Sequence, residues 1–342
     1  MKISPMSRIE RQAAGWRRHP QLVLLAALVL AAGTSIFLGR FPAPGLAAPL
    51  RLLEDPLAQR LILNLRLPRI LIAILLGAAL SGAGAAMQML FRNPLVEPGF
   101  LGVSHGAAFG AGLAILFLGG TAWAIQGCAA IFALLGLLVS YALAQRLRYG
   151  GWILRLVLAG IATSALFSSG LGLLKCMADP LRQLPELTFW LMGGLWAVGW
   201  RDVARVLPVV APALAVVWLM RWRVSLLALG DETAFSLGVA AGRERAGLLI
   251  AAVAAVAAVV SVSGIVGWIG LLVPHVARRL VGADARESIP AAMILGGLFG
   301  LFCDDLARTL TGGEIPLGLF TSLFGATLFL VLLTRRTPGD VA

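Results

Sequence analysis

The sequence predicts an all-α, polytopic membrane protein with about ten transmembrane helices. Apolar residues make up 59% of its 342 residues and charged residues only 13%, which is roughly half the charged share of an ordinary soluble domain. Residues 70–91 and 246–277 form uncharged runs that exceed the ~18 residues expected of a spanning helix. The 40 glycines suit membrane helices that pack closely against one another.

Ten apolar segments are predicted to span the membrane, with short interfacial and coupling helices between them. The spans centre on residues 20–38, 69–91, 101–118, 123–144, 156–176, 203–220, 243–263, 265–281, 289–308 and 316–334. The apolar stretch from Leu187 to Val198 is too short to cross and is expected to be interfacial or re-entrant. We therefore expect one transmembrane permease domain over residues 20–334. It lies between a basic cytoplasmic segment, 1–19, and a cytoplasmic tail, 335–342.

The distribution of basic residues predicts that both termini lie in the cytoplasm. With the N-terminus inside, 18 of the 28 lysine and arginine residues fall in inner segments, as the positive-inside rule requires. Arg66 and Arg69 then lie at the outer start of the second span and need another explanation. Within that span Gly77, Ser81 and Ala85 repeat every four positions, which predicts a closely packed contact between helices.

Several function classes are disfavoured by what the sequence lacks. Its three cysteines show no paired spacing, so neither a disulfide framework nor a metal site is predicted. The arginines are scattered between apolar runs, which indicates membrane topology rather than nucleic-acid binding. No G-x-x-x-x-G-K-[ST] motif occurs, so the chain encodes no phosphate-binding loop. No paired carboxylates or nucleophile with a base stand out within the spans, so neither an enzyme nor a cofactor is predicted.

Seven sequence blocks lie in a fixed order between residues 66 and 326. They are RLPR (66–69), MLFRNPLVEPGFLGVSHGAA (89–108), LVLAGIATS (156–164), LTFWLMGGL (187–195), LALGDETAFSLGV (227–239), GWIGLLVPHVARRLVGADAR (267–286) and DDLARTLTGGEIPLGLFTSLFGA (304–326). Together they resemble the permease subunits of the bacterial ABC importers for ferric siderophores, haem and cobalamin, the FecCD-type permeases. The resemblance implies an inner-membrane homodimer that works with two separate ATPase subunits and a periplasmic substrate-binding protein.

The resemblance also supplies a role for the outer arginines. Arg66, Arg69 and Arg308 match positions at which such permeases pair with surface carboxylates of the binding protein. A guanidinium can hold a carboxylate through two hydrogen bonds, and complementary charges at an interface steer encounter and fix register. The alternative is that these side chains extend to lipid headgroups. Asp304, four residues before Arg308, could also pair with it within the chain.

Two cytoplasmic sites follow from the same resemblance. Asn93 and Leu95 of RNPLVEP would form part of an inner gate, although Asn93 could instead satisfy backbone groups of its own loop. A second gate would lie in residues 148–155, which have no secure match to the family pattern. The loop between spans six and seven would form short helices that couple to the ATPase, and the alternative is an ordinary connector. Its marker residues are Gly230, Asp231, Glu232 and Gly238.

The cargo is implied only as a class. Haem is the first expectation, with a ferric siderophore or cobalamin as alternatives within the family. Segments that contain methionine and tryptophan suit a flat apolar macrocycle, but they suit a membrane interface equally well. A different class, the ion-coupled secondary transporter, would need ionisable residues near the bilayer midplane. The best candidates, Asp304 and Asp305, fall towards the outer end of a span.

Overall fold

The computed structural model describes residues 20–39, 45–46, 55–229 and 231–334, and most of these residues are helical. A pair of two-residue antiparallel strands, β1 (Leu38–Gly39) and β2 (Gly45–Leu46), follows the first helix. The helices are α1 (Pro20–Phe37), α2 (Pro56–Leu61), α3 (Leu67–Leu90), α4 (Val103–Phe117), α5 (Ala122–Arg146), α6 (Trp152–Met177), α7 (Gln183–Met192), α8 (Trp200–Leu219), α9 (Arg221–Leu227), α10 (Asp231–Ser236), α11 (Ala241–Ser263), α12 (Ile269–Val281), α13 (Ala285–Thr309) and α14 (Leu317–Thr334). The all-α membrane architecture is therefore confirmed. Segments 1–19 and 335–342, predicted to be cytoplasmic, lie outside the described residues.

Seven helical segments in the described part of the chain are long and apolar enough to cross a membrane. They are α1, the continuous segment Pro56–Leu90, α5, α6, α8, α11 and α13. The other three predicted spans correspond to the shorter helices α4, α12 and α14. The predicted count of ten spans is therefore not confirmed, because composition shows that a segment is apolar but does not show how much of it becomes one helix.

The second span begins earlier than its apolar run indicated. The Asp55 side chain caps α2 by accepting a hydrogen bond from the Leu57 N–H at 2.9 Å. A wider, π-helical turn at Ile62–Arg66 then joins α2 to α3. The helix is thus continuous from Pro56 to Leu90. Arg66 and Arg69 therefore lie inside a helix, roughly three turns or more from its first residue. They are not in the first turn, whose backbone N–H groups lack partners within the helix.

Helices α3 and α13 pack antiparallel along a seam of small residues. Gly77 lies against Gly296 so closely that a Cβ on Gly77 would overlap the Gly296 carbonyl oxygen. One turn further along α3, the Ser81 hydroxyl donates to the Ala292 carbonyl oxygen at 2.7 Å. The predicted contact along the small-residue repeat is therefore confirmed. The same four-residue register places Arg69 opposite Asp304.

A non-helical segment, residues 264–268, separates α11 from α12. Helix α11 ends at Ser263, and Gly264 and Trp268 in the connecting segment both have positive φ angles, +70° and +71°. A positive φ is uncommon for a residue with a side chain. Non-helical backbone within a membrane protein is tolerated where it is enclosed by protein, and the Gly194 N–H satisfies the Ser263 carbonyl oxygen at 2.7 Å. The end of the bundle that holds Arg66, Trp190 and Glu314 is called the outer end below, and the end that holds Asn93 the inner end. Which side of the membrane each end faces stays a prediction.

Candidate functional site

Arg69 is held by two carboxylates at the outer end of the α3–α13 seam. Its Nε donates to Asp304 Oδ1 at 2.9 Å and to Oδ2 at 3.2 Å, and its Nη1 donates to Glu314 Oε1 at 2.8 Å. The Asp304 side chain is completely buried, whereas the Glu314 side chain is 42% exposed. One guanidinium therefore joins a buried acid in α13 to an exposed acid in the connection that follows it.

Arg308 is bound to a second acid and to the first helix. It forms an ion pair with Asp305, and its Nη2 donates to the carbonyl oxygen and the hydroxyl of Ser35 at 2.7 and 2.6 Å. The predicted partner, Asp304, is present but more distant, at 3.7 Å from the Arg308 Nε. The structure therefore adds Asp305 and Ser35 to the interactions expected for this arginine and ties α1 to α13.

Arg66, in the π-helical turn, is the third arginine at the outer end of the seam. Its Nη1 donates to the Ile36 carbonyl oxygen at 2.8 Å, near the end of α1. Arg66, Arg69 and Arg308 together line one cavity of about 310 Å³, here called the arginine cavity, with Glu314 at the same site. Arginines that lie more than 230 residues apart in the sequence thus line a single charged pocket. The docking role predicted for these arginines stays a prediction, and each of them already has a partner within the chain.

A larger cavity opens beside the arginine cavity at the outer end. It has a volume of about 600 Å³, within the ~300–1,000 Å³ typical of ligand pockets, and is here called the vestibule. Aromatic rings of Phe189, Trp190 and Trp196 line it, and its polar lining includes Gln126, Ser261, Ser263 and the acids Glu186, Asp202 and Glu314. No arginine or lysine is among its lining residues in the described chain. The aromatic lining and the volume of this cavity can therefore accept a bulky, flat solute.

The predicted gate residues lie in a turn at the inner end. The Asn93 Oδ1 accepts a hydrogen bond from the Leu95 N–H at 2.9 Å, which is the local bonding that the alternative interpretation expected of Asn93. The Leu95 side chain is 51% exposed. The two residues are adjacent at the surface of the single chain, and whether they close a pore against another copy stays a prediction.

Sequence reasoning missed a polar network beside this turn. The buried Gln88 amide donates to the carbonyl oxygens of Gly270, Leu271 and Val96 at 3.1–3.2 Å, and its oxygen accepts from Arg278 at 2.7 Å. It thereby joins α3 and α12. The signal available in the sequence was a glutamine that interrupts the apolar run at the end of the second span.

Glu97 makes a second missed contact at the inner end. One carboxylate oxygen accepts a hydrogen bond at 3.1 Å from the backbone N–H of Trp268, the residue with positive φ just before α12. Burial raises the pKa of the Glu97 carboxyl above its ordinary value, and the Trp268 hydrogen bond opposes that rise. The loop that carries the predicted gate is thus bonded directly to the break between α11 and α12.

The predicted coupling segment does form short helices. Helix α9 is followed by α10, whose first two residues are Asp231 and Glu232, and Gly238 lies beyond its end with a φ of +79°. Gly230 lies outside the described residues. The Phe235 and Leu237 side chains are 79% and 54% exposed, so this segment presents an apolar surface at the inner end. Its contact with an ATPase stays a prediction.

Comparison with known proteins gives these features a family. The model of the FecCD transport family matches residues 23–335. The molybdate import permease MolB of Haemophilus influenzae is 36% identical over 94% of this chain and 98% of its own length. The hemin permease HmuU of Yersinia pestis is 39% identical over 80% of this chain and 83% of its own.

A solved structure agrees with both relatives. It is described as an inward-facing metal-chelate type ABC transporter, and it superposes with a TM-score of 0.85 and 34% identity over 92% of this chain and 99% of its own. The likeness in fold extends over nearly the whole of both chains. The resemblance predicted from the ordered sequence blocks is therefore confirmed, and the chain belongs to the FecCD transport family as a multi-pass permease of an ABC importer.

Proposed function

We propose that this chain and a second copy of itself form the bacterial inner-membrane pathway of an ABC importer for a flat metal chelate, with haem as the first candidate. Two separate ATPase subunits drive the cycle from the inner end. A periplasmic binding protein delivers cargo at the outer end. The convergence of Arg66, Arg69 and Arg308 on one cavity carries the docking part of the proposal, because three guanidinium groups at one site suit an acidic partner.

The cargo assignment is supported by the lining of the vestibule. Three aromatic rings offer faces for a planar macrocycle, since stacked and edge contacts of aromatic groups are favourable. The carboxylates of Glu186, Asp202 and Glu314 are unfavourable neighbours for a small oxyanion, because like charges repel. A molybdate permease is among the relatives, so molybdate is the natural competitor to test. The vestibule favours the chelate.

Transport by reconstituted protein tests the cargo. The permease and its ATPase are placed in liposomes with the binding protein, and ATP-dependent uptake of haem, a ferric siderophore, cobalamin and molybdate is compared. We expect haem uptake that requires ATP and the binding protein. Uptake of molybdate alone would refute the chelate assignment. Uptake driven by a proton gradient without ATP would refute the importer mechanism.

Docking is tested by reversing the charge of Arg66. This residue is less buried than Arg69 and is not a member of the Arg69–Asp304 pair, so its replacement removes neither partner of that pair. We expect Arg66→Glu to weaken binding-protein affinity by tenfold or more, on the order of 1.4 kcal/mol or more, because an acid would then face the partner's acid. Arg182→Glu, an exposed arginine beside α7 that does not line the arginine cavity, is the matched control. Equal affinities for all three proteins would contradict the docking role.

Coupling is tested at the exposed apolar surface of the α9–α10 segment. Phe235→Glu places a charge where we propose that the ATPase packs, so the ATPase should no longer co-purify with the permease. Leu181→Glu is the control, because Leu181 is an exposed apolar residue, at 93%, in the connection between α6 and α7 at the outer end. Retention of the ATPase by the Phe235 variant would show that this segment is an ordinary connector.

A further inference from the structure

Glu314 belongs to both cavities at the outer end. It lies in the connection between α13 and α14, where it lines the arginine cavity with Arg66, Arg69 and Arg308. It also lines the vestibule with Trp190 and the other aromatic residues. A single exposed carboxylate is therefore shared by the cavity proposed for docking and the cavity proposed for cargo.

The two acids that hold Arg69 are not equivalent. Asp304 is completely buried, so separating it from Arg69 would leave an uncompensated charge inside the protein. Glu314 is 42% exposed, and ion pairs in contact with water are weak and easily replaced. The Arg69 Nε is bonded to the buried Asp304, whereas its Nη1 is bonded to the exposed Glu314, and Arg69 and Glu314 both line the arginine cavity. An incoming carboxylate can therefore replace Glu314 without disturbing the buried pair.

The chain that follows Glu314 is anchored to the wall of the vestibule. Residues 311–314 are exposed, whereas 316–318 are buried. The Ile315 N–H donates to the Ala307 carbonyl oxygen at 3.2 Å, and the Gly318 N–H donates to the Gly193 carbonyl oxygen at 3.3 Å. Gly193 directly follows α7, which carries Phe189 and Trp190. Movement of Glu314 would therefore be transmitted to the segment that bears the aromatic rings.

We propose that Glu314 is an internal substitute for the binding protein's carboxylate. It occupies Arg69 in the undocked permease, and the partner's acid displaces it on docking. Displacement frees the exposed residues 311–314 and changes the shape of the vestibule when cargo arrives. This inference rests on the proposed docking role of the arginine cavity, and it adds a competitor within the chain and a route to the cargo cavity.

Affinity measurements test the competition. Glu314→Gln keeps the size of the side chain and removes its charge, so it should bind the binding protein about 2- to 5-fold more tightly, the effect of removing an exposed ion pair of ordinary strength. Glu186→Gln is the matched control, because Glu186 lines the vestibule but not the arginine cavity. It should leave the affinity unchanged. A gain of equal size in both variants would mean a general charge effect and would overturn the proposal.

Mobility measurements test the displacement. Gly312 has open space around it, so a spin label on Gly312→Cys, with the native cysteines replaced by serine, reports on the connection. Its mobility should rise when the binding protein is added to the otherwise native protein, and it should already be high in Glu314→Gln. If neither addition of the binding protein nor Glu314→Gln changes the mobility of the label, the proposal is overturned.

The two proposals fail in different ways. If Arg66→Glu weakens docking while Glu314→Gln leaves the affinity unchanged or lower, the competition is wrong and the docking role stands. If neither variant changes the affinity, the docking role itself is wrong.

Discussion

Removal of one member of the buried Arg69–Asp304 pair should destabilise the permease strongly. Arg69→Met keeps most of the apolar stem but deletes the guanidinium 2.9 Å from Asp304. The nearest remaining cation is then the Arg308 Nε at 3.7 Å, which is already engaged with Asp305. Loss of one partner from a buried ion pair costs ~3–5 kcal/mol. We expect a value in that range, because the Asp304 side chain has no exposed surface.

Companion variants separate the charge effect from packing. Asp304→Leu should be milder than Arg69→Met, because Arg69 would keep Glu314 at 2.8 Å and could reach water beside it. The double variant Arg69→Met, Asp304→Leu removes both charges. It should recover most of the loss, since replacing a whole buried pair by apolar residues is often neutral or stabilising.

The assay is reversible unfolding of the purified permease by SDS in mixed micelles, followed by circular dichroism. The quantity compared is the free energy of unfolding of the four proteins. A free energy of unfolding for Arg69→Met within about 1 kcal/mol of the native value, the range of an exposed pair, would contradict a buried, uncompensated Asp304. A double variant less stable than both single variants would contradict it equally.

Two further predictions concern the helix seam and the inner end. Gly77→Ala should destabilise the permease by ~1–3 kcal/mol, because the added methyl group would overlap Gly296 and force the two helices apart. Gly33→Ala in α1 is the control; Gly33 has open space around it, so this variant should be neutral or stabilising by up to ~1 kcal/mol. Equal free energies of unfolding for the two variants in the same SDS titration would contradict the close contact between α3 and α13. At Glu97, a raised pKa means that the folded protein favours the protonated form, so stability should fall as pH rises above the ordinary glutamate pKa of 4.5. Glu97→Gln keeps an oxygen for the Trp268 N–H and should remove this dependence, so parallel stability–pH curves for variant and native protein would exclude the effect.

The fold class was predictable because composition and helical periodicity are local properties. The small-residue repeat at Gly77, Ser81 and Ala85 indicated a close contact, and that contact is confirmed. Its partner could not be identified, because α13 lies more than 200 residues away. The number of spans was less predictable. The break at 264–268 and the short α4 depend on how neighbouring helices enclose the backbone, which no single apolar run reveals.

The candidate site was predictable in its residue types but not in its bonding. Arg66, Arg69 and Arg308 were identified from the motifs that resemble the family, and the structure brings them to one cavity. Their pairing with Glu314, Ser35 and Asp305 depends on the register of α3 against α13 and on the position of α1. Glu97 and Gln88 were missed because a single polar residue in a motif does not indicate which distant backbone groups it will reach.

The seam between α3 and α13 has a mechanical consequence. At about 1.5 Å per residue, the 24 residues of α3 extend roughly 36 Å, with Arg69 near one end and the turn that holds Asn93 just beyond the other. Carbonyl contacts at Gly77 and Ser81 leave little room for the two helices to slide, because packed interiors resist deformation. The pair would then respond as a stiff lever, and a tilt of about 5° around its outer pivot would displace the far tip by about 3 Å, comparable to the width of a water molecule.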